Sequence, residues 1–471
     1  MILNLITALL ISLVIGSAVT WLVCPRTGLR FSDVLLVLSL GIASGLGLSS
    51  VLLFLWLAAA NGNGKREPIL VLALAIILAG IAAVRWRLGH RHGIPSPNIP
   101  GSMPWLKITF SLAAFMAVVG YVLLSLHSPH GGWDAQSIWN RHALFMFRGG
   151  EHWRDVFSAA EVGWTPGYPM LTPGAIAHCW LFVGKETALA PIAIGFLFSV
   201  AVVGLLVSSL SLLRSGSQCL IAGIVLLCSP QFIAQAATQY ADVPLASFYL
   251  GAILLLSLHD VRNHSGWLVT SGMMTGMAAW TKSEGLLFAL VLVLVRCGVV
   301  VTLRGAKAWT REFLPFTVGL LPAFAVVLYF KFRMAGAAID LVLDQTPHAI
   351  LGRLLTGSRY VMIVKAFANQ ILGFGGWVVM LPPVLIMYLL VVGINPPRKD
   401  RPAIYTGSLT LILMMCGYFM VYVITPHDLA WHLHFSLDRV LMQLWPLAIF
   451  VFFLLARTRE EAVRADNYVT S

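Results

Sequence analysis

Charge is what this chain has least of. Only 11% of its 471 residues are Asp, Glu, Lys or Arg, against about a quarter in a soluble domain. With 59% hydrophobic residues and a mean hydropathy of +0.86, a soluble globular enzyme is excluded. Disorder, collagen and coiled coil fall with it, because each needs polar, Gly-periodic or heptad-patterned sequence. Cysteine is scarce too. The six (Cys24, Cys179, Cys219, Cys228, Cys297, Cys416) form no CxxC pair and lie in or beside apolar runs. That excludes a disulfide framework and a zinc site. The first apolar run lacks a basic leader and a clear small-residue cleavage site, so it reads as a retained span.

What the chain has is apolar runs. A spanning helix needs about 20 apolar residues. Runs fall at about 1–23, 34–60, 69–84, 106–126, 187–213, 219–236, 243–258, 267–280, 285–303, 313–330, 376–394, 403–424 and 440–456. The reading is an all-α integral membrane protein with about 13 transmembrane helices. A shorter run, 169–183, starts with Pro169 and Pro173 and suits a re-entrant or interfacial helix. Five segments follow: a four-helix membrane segment (1–126), an outer loop with juxtamembrane helices (127–186), core helices (187–330), a second outer segment (331–375), and C-terminal helices with a tail (376–471).

Sidedness follows from the basic residues. If spans alternate, one face collects 18 basic and 7 acidic residues, including Arg85, Arg87, Arg304, Lys307, Arg311, Arg398, Lys399 and Arg401. The other collects 13 and 12, a net of +11 against +1. The basic face is then cytoplasmic, with the N-terminus outside and the C-terminus inside. The +12 overall charge is loop charge rather than a nucleic-acid footprint. Both long non-spanning stretches fall outside. They are too rich in Trp, Phe and Leu for disorder, and loops of that length are usually functional.

The ionisable residues of that face come from separate places. In HGGWDAQSIWNRHALF, Asp134 opens a helical pattern and could simply cap it. Ile138, Trp139, His142, Phe145 and Met146 can share one face of that helix, lying in the interface. Trp133, Trp139 and Trp153 suit an interfacial belt. Arg141 is a lesser candidate for a phosphate contact. Tyr168, in GYPMLTP, could stack on a substrate or anchor at the interface. In TQYADVPLAS, Asp242 opens a span beside Tyr240, where a first-turn acid also suits the helix dipole. In WTKSEG, Lys282 and Glu284 are spaced so that a helix would not face them together, leaving each for another partner. In HLHFSLDR, His432 and His434 make a weak metal signal, and Arg439 could clamp a phosphate or pair with Asp438. Ionisable groups at membrane ends need partners. Such a set over a lipid-facing cavity suits the handling of a lipid-linked phosphate.

The ordered pieces GGWDAQSIWNRHALF, GYPMLTP, YADVPLAS, AAWTKSEGLLFAL and HFSLDRVLMQLWP resemble the GT-C superfamily of polytopic glycosyltransferases. The branch is that of protein O-mannosyltransferases, aminoarabinose transferases and the RgtA/B/C/D-like proteins. They cover most of the chain from about 127 onward; the first ~105 residues carry no such motif. The resemblance implies a polyprenyl-phosphate sugar donor, a catalytic Asp134 in the first long outer loop, and a second acidic position at Asp242. Some members carry an Asp-Glu pair in that loop, whereas Ala135 follows Asp134 here.

The expected chemistry is inverting transfer to a glycan, lipid or protein acceptor on the outer face. Asp134 serves as general base, and Lys282 and Arg439 stabilise the leaving phosphate. Asp242 and Glu284 bind sugar hydroxyls or hold a cation, a divalent metal ion being the one cofactor they could take. Tyr168, Tyr240, His432, His434 and Arg141 complete the expected substrate contacts. The expected partners are the lipid donor, the acceptor and the bilayer, in a bacterial inner or plasma membrane; no nucleic acid is involved. The rivals are a transporter or lipid flippase and a non-catalytic scaffold. Transporters place polar groups at mid-membrane, often in repeats. No repeat is seen here, and the run 403–424 holds no charged residue.

Overall fold

The computed structural model describes residues 1–24, 30–88, 103–158, 167–335, 345–375, 380–394, 400–458 and 461. Among these there is no strand, only an isolated antiparallel bridge between Ile394 and Ala456. Helix is what lipid demands, since each segment must satisfy its own backbone N–H and C=O groups. The chain opens with α1 (Ile2–Val23), α2 (Phe31–Ala59), α3 (Glu67–Leu88) and α4 (Pro104–His127). Short pieces follow: a π-helical turn (Ala135–Trp139), α5 (Asn140–Arg148), a 3-10 segment (Gly150–Phe157) and α6 (Leu171–Val183). The middle holds α7 (Leu189–Leu213), α8 (Gly216–Leu227), α9 (Pro230–Ala237), α10 (Asp242–Arg262), α11 (Ser265–Thr281), α12 (Ser283–Arg304) and α13 (Ala306–Arg333). Then come α14 (Pro347–Leu354), α15 (Gly357–Leu372), α16 (Leu381–Val392), α17 (Arg401–Ile424) and α18 (Leu429–Leu455).

Among the described residues, 10 helices are long and apolar enough to cross a membrane (α1–α4, α7, α10, α12, α13, α17 and α18), or 11 if one bent pair counts as a span, beside the 13 runs expected. Three runs differ, two of them for a local reason. The run 219–236 is the pair α8–α9, bent by 61°. Pro230 has no N–H to continue α8, and Ser229 before it is extended (φ −90°, ψ 101°). The run 267–280 is α11, only 17 residues long. It nevertheless returns along the whole of α10, because Lys282 at its end reaches Asp242 at the head of α10. The run 376–394 is described from 380, where α16 has 12 residues.

Two further segments pack against the bundle. In the run 169–183, Leu171 to Trp180 of α6 are all buried in protein. Residues 345–375, expected as an outer segment, pack along the bundle. The Arg359 guanidinium donates to the carbonyls of Tyr422 (3.1 Å), Val423 (3.0 Å) and Thr425 (3.2 Å) at the end of α17. Further on, Phe374 packs against Trp445, midway along α18, at 4.9 Å.

Helix α10 is the axis, with its apolar stretch wholly buried among α7, α11, α17 and α18. Its neighbour α11 crosses α13 at backbone contact. A Cβ on Gly272 would sit 1.9 Å from the Phe316 carbonyl oxygen, and one on Gly319 1.8 Å from that of Val269. Small residues at a crossing are how helices approach in lipid, where apolar burial supplies little driving force. Gly319→Leu is therefore expected to push α13 off α11 and lower stability by at least about 1–3 kcal/mol. The thermal midpoint in detergent reads this, and an unchanged midpoint would contradict the crossing.

Buried polar chains tie several helices together. Glu67 Oε1 meets His178 Nδ1 at 2.7 Å, His178 Nε2 meets Ser12 Oγ at 3.5 Å, and Ser12 meets Ser49 at 2.8 Å. These join α1, α2, α3 and α6. At the foot of α10, Arg296 donates to both oxygens of Asp260 (3.0 and 2.6 Å) and to Glu312 (2.7 Å), locking α10, α12 and α13. Both networks leave the head of α10 to a separate cluster.

Candidate active site

Two glycines dock the loop that carries Asp134. Gly131 has φ +72°, a conformation that L side chains rarely adopt. The Gly132 N–H donates to the Thr238 carbonyl at 3.0 Å, and a Cβ there would fall 2.4 Å from the Tyr240 hydroxyl. Gln239 fastens the same joint, donating to the Pro129 carbonyl (3.0 Å) and accepting from Asn140 (3.2 Å). The Gly-Gly-Trp-Asp stretch thus lies on the turn that opens α10.

Asp134 stands at the N-cap of its helical turn without a side-chain cap hydrogen bond, and Asp242 is in the first turn of α10. Asp134 Oδ2 meets Arg439 Nη2 at 2.7 Å. Arg439 in turn donates to Asp242 Oδ2 through Nη2 (3.1 Å) and Nε (3.2 Å). The other Asp242 oxygen accepts from Lys282 Nζ (3.0 Å) and Gln443 Nε2 (2.6 Å). The Asp242 side chain is 0% exposed, and that of Asp134 is 19% exposed. The first is an internal hub and the second sits at the open edge. The Arg439 guanidinium also lies over the Tyr240 ring, 4.3 Å from its centroid. The Asp134 backbone N–H donates to the Tyr240 hydroxyl at 3.4 Å.

Lys282 and Glu284 do face each other, at 2.8 Å. The expectation that they would not assumed helical spacing, but Lys282 is extended (φ −155°, ψ 161°) between α11 and α12. Arg439 pairs with Asp134 and Asp242 rather than with its neighbour Asp438, which accepts from Gln235 at 3.3 Å. So five ionisable groups from four parts of the chain meet: Asp134, Asp242, Lys282, Glu284 and Arg439. Gln443 joins them and was not expected. It lies one turn beyond Arg439 on α18, and a polar residue on that face of an apolar helix was the available signal.

Other expected residues lie around or away from this cluster. Tyr168 is half-buried and stacks on Trp139 (centroids 5.5 Å apart), within electrostatic reach of Lys282. Arg141 is half-buried on α5 beside His142. His432 bonds Thr425 Oγ1 at 2.9 Å, whereas His434 is exposed with its ring against Phe435, so the two do not act as a pair. Trp139 and Trp153 are buried in protein, leaving Trp133 as the exposed member of the expected belt. Among the described residues, no group of three or more His, Cys, Asp or Glu residues is arranged to hold a metal ion.

The electrostatics have clear directions outside the spans. Burial pushes the Lys282 ammonium down, but the carboxylates of Asp242 and Glu284 outweigh it, so its pKa lies above the usual lysine value. Burial, and then the charge of Asp134, push the Tyr240 phenol up, keeping it neutral. Burial lowers His142 to about 4, so it is uncharged at neutral pH. The cluster thus presents two cations held by three carboxylates. Asp242 is the buried one. Glu284, 23% exposed, and Asp134 stand at the rim, the latter placed there by Gly131 and Gly132.

Residues 170–330, about a third of the chain, match the family model described as dolichyl-phosphate-mannose-protein mannosyltransferase. The match, together with the polytopic helical fold, supports a membrane glycosyltransferase of the GT-C type. It takes in Asp242, Lys282 and Glu284; Asp134 and Arg439 lie on either side of it. No curated protein matches the chain. No solved structure matches it.

Proposed function

We propose that this protein transfers a sugar from a polyprenyl-phosphate donor to an acceptor hydroxyl at the outer face of a membrane. The observation that carries the reading is the meeting of Asp134, Asp242, Lys282, Glu284 and Arg439 at the head of α10. The excess of basic residues at the foot supports the head as the outer end.

The donor phosphate competes with Asp134 for Arg439. As it binds, the Asp134 carboxylate is released at the rim, where it can take the proton of the acceptor hydroxyl. The acceptor oxygen then forms a bond to the anomeric carbon as the bond from that carbon to the phosphate oxygen breaks, with inversion. The leaving polyprenyl phosphate gains a negative charge, which Lys282 and Arg439 stabilise. Asp242 keeps both cations in place, and Glu284 and Tyr168 are available to sugar hydroxyls.

The test is purified protein in proteoliposomes with labelled polyprenyl-phosphate sugars. The expected result is release of polyprenyl phosphate and appearance of label in an acceptor or in water. Movement of intact donor across the vesicle without release would make the protein a flippase instead. Lys282→Ala is expected to lower kcat/KM for the donor at least tenfold, about the worth of one charge-assisted contact, through weaker donor binding and weaker stabilisation of the leaving phosphate together. An unchanged kcat/KM would overturn that role.

A further inference from the structure

The hub carboxylate has a second support that faces away from the rim. Gln443 is fully buried on α18 and donates to Asp242 Oδ1 at 2.6 Å. Its own carbonyl oxygen accepts from the Tyr418 hydroxyl, on α17, at 2.6 Å. Tyr418 is buried too. The chain Tyr418–Gln443–Asp242 therefore links α17, α18 and α10 beneath the two cations.

An amide can present either its oxygen or its nitrogen to a neighbour. Only the nitrogen end helps a carboxylate. Asp242, which can only accept, takes the nitrogen end, and the Tyr418 hydroxyl donates to the oxygen end left over, holding the Gln443 amide in place between them. With Gln443 and Lys282 on one oxygen, Asp242 turns the other toward Arg439. We infer that Tyr418 and Gln443 are positioning residues that orient Asp242 and, through it, set Arg439 and Lys282 for a phosphate ligand. This rests on the function proposed above.

The test uses full-length protein in detergent with a polyprenyl phosphate as the probe, its binding followed by calorimetry beside the thermal midpoint. Gln443→Leu and Tyr418→Phe are each expected to weaken binding roughly five- to tenfold, the worth of one buried hydrogen bond. The double variant should bind no more weakly than Gln443→Leu alone, because Tyr418 acts through Gln443. Independent structural roles would instead add. Tyr418→Phe removes a single oxygen, so it keeps the test open if Gln443→Leu fails to fold. Wild-type protein that binds, with variants that bind equally well or lose affinity additively, would overturn the relay alone. Wild-type protein that does not bind would overturn both the relay and the proposed function.

Discussion

Asp134→Asn is expected to lower sugar transfer by about 10²–10⁴-fold, the usual contribution of a general base, with the fold intact. The amide has the shape of the carboxylate and keeps an oxygen for Arg439, so the 2.7 Å contact can persist as a neutral one. The backbone N–H to Tyr240 and the Gly132 joint do not involve the side chain. What is lost is the ability to accept a proton. Initial rates in proteoliposomes, with the thermal midpoint as control, measure both halves. A wild-type rate would remove Asp134 from the chemistry; a large fall in midpoint would make its role structural.

Asp242→Ala should act the other way, on the fold first. It strips a fully buried carboxylate from Lys282, Arg439 and Gln443 at once. Removing one partner of a buried ion pair costs about 3–5 kcal/mol. Arg439 retains Asp134 and Lys282 retains Glu284, which favours the lower end of that range. Thermal midpoint and yield in detergent would both fall. Asp242→Asn should fall less, because one oxygen still accepts, although its nitrogen must then face a donor. An unchanged midpoint for Asp242→Ala would show that the hub carries no stability.

The helical membrane fold was legible because apolar runs of spanning length leave few alternatives. Where the expectation differed, the cause was local. Pro230 divides a run that composition alone joins, and α11 is short yet parallels α10 from foot to head. Among the candidate residues, Asp134, Asp242, Lys282, Glu284 and Arg439 were all nameable, since charges at membrane ends need partners. Their pairing was not. The Lys282–Glu284 contact depends on one extended residue, and the choice of Asp134 over Asp438 by Arg439 depends on how α18 rotates against α10. Gln443 is harder to read, because an uncharged amide stands out little in an apolar helix.

The contact between Asp242 and Lys282 also bears on how the chain enters the bilayer. These two residues sit at the open end of one hairpin, α10–α11, whereas Arg439 comes from a helix synthesised much later. Until that helix emerges the hairpin must neutralise itself, with Lys282 as the acid's first companion. The arginine completes a pair that the ribosome made long before.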